Sequence, residues 1–304
     1  MGTVVDSKAT PEHRVARRAE IGSFFKTKTF RNVTHVVLVY GLAVPTAIIF
    51  VLPFLWMLST SFKAPNEVFD FPPKWIPGTF HFENYSQALA LAPFGQYVLN
   101  TLFVTLNNVI GNLVSCTLAA YGFARLRARG KNVLFLLMLA TLMLPIWVTL
   151  IPQYVLFNAI GWGNSFAPLM VPPWFGWPFF IFLLRQFFMT IPKELEEAAR
   201  LDGATTLGIL WHIILPISTP ALATVAVLAF IGNWNNFFAP LIYLRDPNMY
   251  TLAIAVQRFR GQFGNQYIHY MMAVSVLMVI PIIIIFFFAQ RYLIKGIVMT
   301  GLKT

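Results

Sequence analysis

From 132 to 184 the chain runs for fifty-three residues without an Asp, Glu, Lys or Arg. A water-soluble domain cannot hide so long an uncharged, mostly apolar run, because solvent-facing positions recur every helical turn or every second strand residue. Hydrocarbon can accommodate it: crossing ~30 Å takes about 20 apolar residues in a helix whose backbone groups are bonded internally. The run is too long for one crossing and suits two, joined at Gly161-Trp162-Gly163-Asn164-Ser165. The rest of the chain, read the same way, predicts six transmembrane helices over 36–58, 99–120, 133–151, 168–184, 217–244 and 267–290. The fold class is all-α, a polytopic membrane protein, and the 11% of charged residues stands against about 25% in soluble domains.

The net charge of +11 raises the question of nucleic acid, and the placement of the basic residues answers it. They cluster at the ends of apolar runs and form no basic stripe interleaved with stacking aromatics, so no nucleic-acid partner is expected. Seventeen of the 22 Lys and Arg residues fall on segments that are cytoplasmic if the N-terminus is inside, and five fall on outer loops. Cytoplasmic loops retain Lys and Arg, which puts both termini and the segment 190–215 in the cytoplasm. Three regions follow: a basic cytoplasmic segment over 1–34, with an interfacial helix near 20–30; a transmembrane domain over 35–295, its core 95–290; and a cytoplasmic tail over 296–304. The one cysteine, Cys116, lies in an apolar run and reads as a small buried hydrophobe.

The segment 190–215 reads as helix, turn, helix. Thr190 is expected to cap the first helix and Pro192 to enter its first turn, with Glu194, Glu196 and Glu197 near the positive end of the helix dipole. Gly203 permits the left-handed conformation that ends a helix, Thr205 starts the next, and Leu215-Pro216 ends that one. Generic physics makes this an amphipathic connector on the inner membrane surface. Its spacing is more specific: Glu197-Ala198-Ala199, three residues to Gly203, nine to Ile213 and one to Leu215-Pro216 resembles the EAA signature of binding-protein-dependent ABC importers.

That resemblance runs from about Gly95 to the tail. It is similar to sugar permeases of the maltose and glycerol-phosphate class through Asn233-Trp234-Asn235, Tyr250-Thr251-Leu252, Pro281, and Gln290-Arg291 leading to Gly296 and Lys303. The tail departs from the pattern, with Thr300 and Thr304 where glycines are common. The resemblance implies the type I ABC importer permease fold with a cytoplasmic EAA coupling loop. It further implies a transport subunit, not an enzyme, that moves a sugar or polyol-like solute across a bacterial plasma (inner) membrane. ATP and Mg would be bound by two partner ATP-binding subunits and not by this chain. A second, homologous permease subunit and an extracellular solute-binding protein would complete the assembly. Glu197, Ala198, Ala199, Asp202, Gly203 and Ala204 would form the coupling helix that seats in a cleft of the ATPase.

Polar residues at membrane depth face other helices or a water-filled route. In span two, Asn100, Asn107, Asn108, Gly111 and Ser115 share a face at 100° per residue, with Asn112 beside it. This face reads either as interhelical hydrogen bonding or as the lining of the solute path. Span five adds Asn233, Trp234, Asn235 and Asn236, amides and an aromatic ring that suit sugar hydroxyls and apolar sugar faces; Trp234 reads equally as an interfacial anchor. The sequence has no phosphate loop, no histidine pair at metal-ligand spacing and no catalytic elbow. A permease for a non-sugar solute and an ion-coupled secondary transporter stay open at this point. The second is disfavoured because no expected span holds an Asp, Glu, Lys or Arg.

Overall fold

The computed structural model describes residues 28–262 and 267–301. Residues 1–27, with most of the interfacial helix expected over 20–30, and the last three residues of the tail lie outside the described residues. All described elements are helical. Contacts divide the chain into two units, Met1–Leu58 and Ser59–Thr304. The described part of the first is helix α1 (Lys28–Ser61), which contains Pro45 and Pro53 and continues into the start of the second unit. Its side chains from Val39 to Phe50 are exposed and mostly apolar on every side, a surface fit for lipid or other helices and not for water.

The second unit opens where α1 ends. Buried Asn84, in α2 (Glu83–Ala90), donates through Nδ2 to the carbonyls of Ser61 at 3.0 Å and Lys63 at 2.9 Å, satisfying acceptors that a helix end leaves unpaired. Just before α2, His81 Nδ1 lies 2.6 Å from Glu83 Oε1. That hydrogen bond holds the exposed Glu83 carboxyl below the ordinary carboxylate range.

Helix α3 (Phe94–Arg125) is the axis of this unit. One apolar cluster gathers Phe94 and Tyr97 with Phe230, Trp234, Leu252 and Val274. A second gathers Val104 with Leu169, Tyr243 and Ile254. A third, at the other end of α3, gathers Cys116, Ala120 and Tyr121 with Leu184, Phe188, Ile209 and Val225. Every cluster therefore takes residues from α3, and its neighbours are positioned by what they bury against it.

Among the described residues four helices are long and apolar enough to cross a membrane, and two bent pairs bring the number to six if each pair is one span. Span three, expected as one helix over 133–151, is such a pair. Lys131–Met143 and Ile146–Ala159 meet at 99°; we call their α-helical parts α4 (Lys131–Ala140) and α5 (Ile146–Ala159). The bend falls at Leu144-Pro145, where Leu144 is extended at φ −77°, ψ 118°, because proline supplies no N–H and pushes the residue before it out of the helical region.

Span four, expected over 168–184, is interrupted in its middle. It comprises α6 (Ala167–Met170), a 3₁₀ turn at Pro172–Phe175, and α7 (Pro178–Thr190). Gly176 between them has φ +89°, ψ 148°, a conformation that essentially only glycine adopts.

Segment 190–215 yields α8 (Glu194–Leu201) and a second helix α9 (Thr206–Ile217), which meets α10 (Thr219–Trp234) at 79°. Span five, expected as one helix over 217–244, is α10 followed after a break at Asn235 and Asn236 by α11 (Phe238–Tyr243). Both asparagines turn their amides to the backbone: Asn235 Nδ2 donates to Ile231 O at 3.0 Å, and Asn236 Oδ1 accepts from Ala239 N at 3.3 Å. Such side-chain bonds compete with helix continuation. Helices α12 (Leu252–Gln262) and α13 (Ile268–Gly301) follow, and Pro281 lies within α13 without ending it.

Candidate functional site

The turn between α8 and α9 is built as the residues require. Gly203 takes φ +83°. Its N–H donates to Arg200 O at 3.1 Å and the Ala204 N–H to Ala199 O at 2.9 Å, the paired bonds of a Schellman C-cap. Thr205 Oγ1 then accepts from Gly208 N at 3.1 Å and caps α9. Two expectations differ. Thr190 does not cap α8; it is the last residue of α7 and donates to Phe187 O at 2.7 Å. Leu215-Pro216 does not end α9, which passes through a π-helical turn at Leu210–Ile214 and continues to Ile217.

Glu197, Ala198, Asp202, Gly203 and Ala204 are exposed on this loop, while Ala199 is half-buried against the cluster beneath. The same outer surface carries apolar side chains that the spacing did not single out: Leu201 is 91% exposed, and Leu207 and Trp211 nearly 70%. Exposed apolar side chains gathered beside small residues on a polar loop are the kind of surface that marks an interaction site. The signal was available, since Leu195, Ala198 and Leu201 recur at three-residue spacing opposite Glu196.

Glu196, expected only as one of three acids near the helix dipole, has a buried partner, Arg125, that the sequence did not single out. Of the three acids in α8, Glu196 alone is buried. Its Oε1 lies 2.9 Å from Arg125 Nε, with side-chain exposures of 5% and 3%, and Arg200 Nη2 approaches Oε2 at 3.6 Å. Arg125 Nη2 also donates to the carbonyls of Phe188 and Ile191, each at 2.5 Å. One guanidinium thus joins the end of α3, the end of α7 and helix α8. In the sequence Arg125 stood out only as the first member of a basic run, and its partner seventy-one positions away was not visible.

The polar face of α3 meets the irregular backbone of span four. Asn107 Nδ2 donates to Met170 O at 2.7 Å and its Oδ1 accepts from Trp174 Nε1 at 3.3 Å. Ser115 Oγ donates to Pro173 O at 2.9 Å, and the Trp177 N–H donates to Cys116 Sγ at 3.2 Å. Gly111 lets the Trp174 ring lie against α3, since a Cβ there would come within 3.1 Å of Trp174 Cδ1. Non-helical backbone at membrane depth persists where protein groups satisfy it, and these side chains do so.

The remaining candidates divide by exposure. Asn100 is buried, donates to Asn248 O at 2.8 Å and Tyr250 O at 3.0 Å, and accepts from Gln96 Nε2. Asn108 is buried and donates to Asn233 Oδ1 at 2.5 Å, joining α3 to α10; its own Oδ1 has no donor among the described residues. Trp234, 2% exposed, donates from Nε1 to Met278 O at 3.0 Å and stacks on Phe230. Asn107, Asn233 and Asn236 are half-buried and Asn235 is exposed. Among the described residues no three His, Cys, Asp or Glu side chains come together as a metal site would require.

Residues 111–299 match the family described as "Binding-protein-dependent transport system inner membrane component". The chain is 34% identical over 271 residues to the arabinooligosaccharides transport system permease protein AraQ of Halalkalibacterium halodurans, covering 84% of this chain and 92% of that one. It is 32% identical over 277 residues to the diacetylchitobiose uptake system permease protein DasC of Streptomyces coelicolor, covering 91% and 97%. Its fold is similar to a chain in the crystal structure of a bacterial ABC transporter involved in the import of the acidic polysaccharide alginate. The TM-score there is 0.75 at 26% identity, covering 88% of this chain and 98% of that one.

Proposed function

This chain belongs to the family of inner membrane components of binding-protein-dependent transport systems, and we propose from that premise that it is the permease subunit of an ATP-driven importer of an oligosaccharide. The observation that carries the solute class is similarity across nearly the whole chain to permeases whose names specify short oligosaccharides. Partly exposed amides beside a broken helix support it, because amides both donate to and accept from sugar hydroxyls.

In this reading a solute-binding protein delivers the sugar to the outer face, and a second permease subunit completes the path. Two ATP-binding subunits hold ATP and Mg and drive the cycle. Both termini are cytoplasmic, as the concentration of Lys and Arg on that side supports. Glu197, Ala198, Asp202, Gly203 and Ala204 meet the ATPase, with Ala199 beneath them, and the exposure of Leu201 and Leu207 extends that surface. The seven path residues fall into two roles. Asn107, Asn233, Asn235 and Asn236 face the solute, while Asn100, Asn108 and Trp234 brace the helices behind them.

The test is to purify the intact complex, reconstitute it in lipid nanodiscs, and measure ATP hydrolysis with binding protein loaded with different solutes. Stimulation by an oligosaccharide, with ATP-dependent uptake of the same sugar in proteoliposomes, is the expected result. Stimulation only by an amino acid or phosphate would overturn the solute class. Uptake that survives loss of ATP and collapses with the proton gradient would overturn the mechanism.

A further inference from the structure

We propose that Arg125 and Glu196 form a clamp that hands the motion of α8 to α3 and α7; they are positioning residues, and the proposal rests on the reading of the α8–α9 loop as the ATPase contact. Glu194 and Glu197 face outward, whereas Glu196 turns inward to a buried guanidinium at 2.9 Å. Burying two charges is costly, and a buried pair is therefore weak as a source of stability but strong as a constraint on geometry. Arginine suits the position because its charge is permanent and its planar fork presents several donors at fixed angles. Nε lies 2.9 Å from Glu196 Oε1 as an ion pair without hydrogen-bond geometry, while Nη2 donates to Phe188 O and Ile191 O at the C-terminal end of α7, where helix carbonyls lack partners of their own. A lysine would keep the charge and three N–H donors but gather them on one freely rotating nitrogen, which fixes the angle between the three elements less firmly.

The second helix of the loop is attached differently. An apolar cleft of about 680 Å³ lies beside α9, lined in part by Leu113, Leu118, Leu207, Trp211 and Leu215. Among the described residues, α9 has a polar link to α3 in the bond from Tyr121 OH to Thr206 O at 3.3 Å. Helix α9 also packs through Ile209, Leu210 and Ile214 in the apolar cluster with α3, α7 and α10, so the clamp gives a load on the exposed face of α8 a polar route to α3 and α7 beside that apolar one. Those two helices flank the break in span four: α7 begins just after Gly176, and α3 supplies Asn107, Ser115 and Cys116 to the irregular backbone. The clamp thus sits at one end of the pair of helices whose other contacts shape the break.

The test uses the complete transporter in nanodiscs and in proteoliposomes. Arg125→Lys keeps the charge and the aliphatic stem, Glu196→Gln keeps the shape, and the double variant Arg125→Met with Glu196→Leu keeps an apolar filling with no buried charge to strand. For each, subunit stoichiometry, ATP hydrolysis stimulated by loaded binding protein, and solute moved per ATP are measured. The expected result is an assembled complex that hydrolyses ATP while solute moved per ATP falls by about five- to a hundred-fold, the ordinary range of coupling between sites. Arg125→Lys combined with Glu196→Gln should lose little more than either alone, because both remove one link. Wild-type solute per ATP in the double apolar variant overturns the clamp, as does loss of uptake only in proportion to lost complex. Leu201→Asp separates the clamp from the reading beneath it. If that variant weakens ATPase association while the clamp variants stay coupled, the clamp fails and the loop assignment stands. If it leaves association unchanged, the loop assignment fails and takes the clamp with it.

Discussion

Replacing Gly203 by asparagine, alanine and proline separates backbone conformation from every other role the position could have. With φ at +83°, a residue bearing a Cβ is strained by about 1–2 kcal/mol unless, like asparagine, it tolerates the left-handed region. Space is not at issue, because a Cβ at Gly203 meets nothing within 4 Å. The rank order of uptake should therefore be glycine, asparagine, alanine, proline, even though asparagine is larger than alanine. A cost of 1–2 kcal/mol shifts an equilibrium by about 5–30-fold, which bounds the loss for Gly203→Ala if the α8–α9 angle competes with a relaxed turn. Gly203→Pro cannot reach a positive φ and also loses the N–H that donates to Arg200 O at 3.1 Å, so uptake should be abolished with membrane insertion intact. The assay is ATP-dependent uptake in proteoliposomes, normalised to inserted protein. Alanine equal to or better than asparagine, or wild-type uptake by the proline variant, would refute the conformational argument.

Gly111→Ala brings a methyl group to 3.1 Å from Trp174 Cδ1 and should lower thermal stability by about 1–3 kcal/mol with a shift in tryptophan emission. Gly122→Ala, where a Cβ meets nothing within 4 Å, should be neutral or slightly stabilising in the same measurement. A double-mutant cycle of Asn108→Ala and Asn233→Ala, whose amides meet at 2.5 Å, should give a coupling of about 0.6 kcal/mol, the average for such bonds in membranes; additive losses would mean that the bond contributes nothing. Glu83 is held below the ordinary carboxylate range by the His81 hydrogen bond. A group whose folded pKa is depressed stabilises above its unfolded pKa and loses that contribution as pH falls through the folded value. The stability difference between wild type and His81→Ala should accordingly be present at neutral pH and vanish on acidification below the glutamate range. In an NMR titration the carboxyl should move up toward the ordinary value in His81→Ala, with the Glu83 backbone hydrogen bond still lowering it.

The location of the apolar spans was legible because transfer to hydrocarbon depends on composition, and composition is local. The α8–α9 turn was legible for a similar reason: a left-handed glycine and a threonine cap are made by adjacent residues, and both form where expected. The breaks were not. Pro53 and Pro281 lie inside continuous helices, while Pro145 stands at a 99° bend, and nothing local separates them. A proline frees backbone groups whether or not the helix continues, and neighbours that can satisfy those groups decide which occurs. The irregular stretch 171–177 is held by Asn107, Ser115 and Cys116, fifty-eight to sixty-seven positions away. For the same reason the polar face of α3 was visible as a face but its partners were not, and Glu196 looked like its acidic neighbours until its side chain was seen to turn inward.

That polar face links how the span-four break is held to how a solute can be felt there. An asparagine amide offers two donors and two acceptor lone pairs. Asn107 spends one donor on Met170 O and one acceptor site on Trp174 Nε1, which leaves one of each on a half-buried side chain. A sugar hydroxyl, which both donates and accepts, can take the free pair without disturbing the bonds that hold the break. Two hydroxyls can also divide that pair, one accepting and one donating, and any further hydroxyl can bind only by displacing one of the bonds to Met170 or Trp174. In the proposed path, then, contact at Asn107 through its free donor and acceptor leaves span four as it is, whereas any contact beyond those two loosens the turn at Pro172–Phe175. Asn107→Asp removes the two N–H donors and keeps the size, so it should loosen the hold on Met170 O even without solute. Tryptophan emission from Trp174 should then respond less to added sugar than in the wild type, and an unaltered response would separate the break from solute recognition.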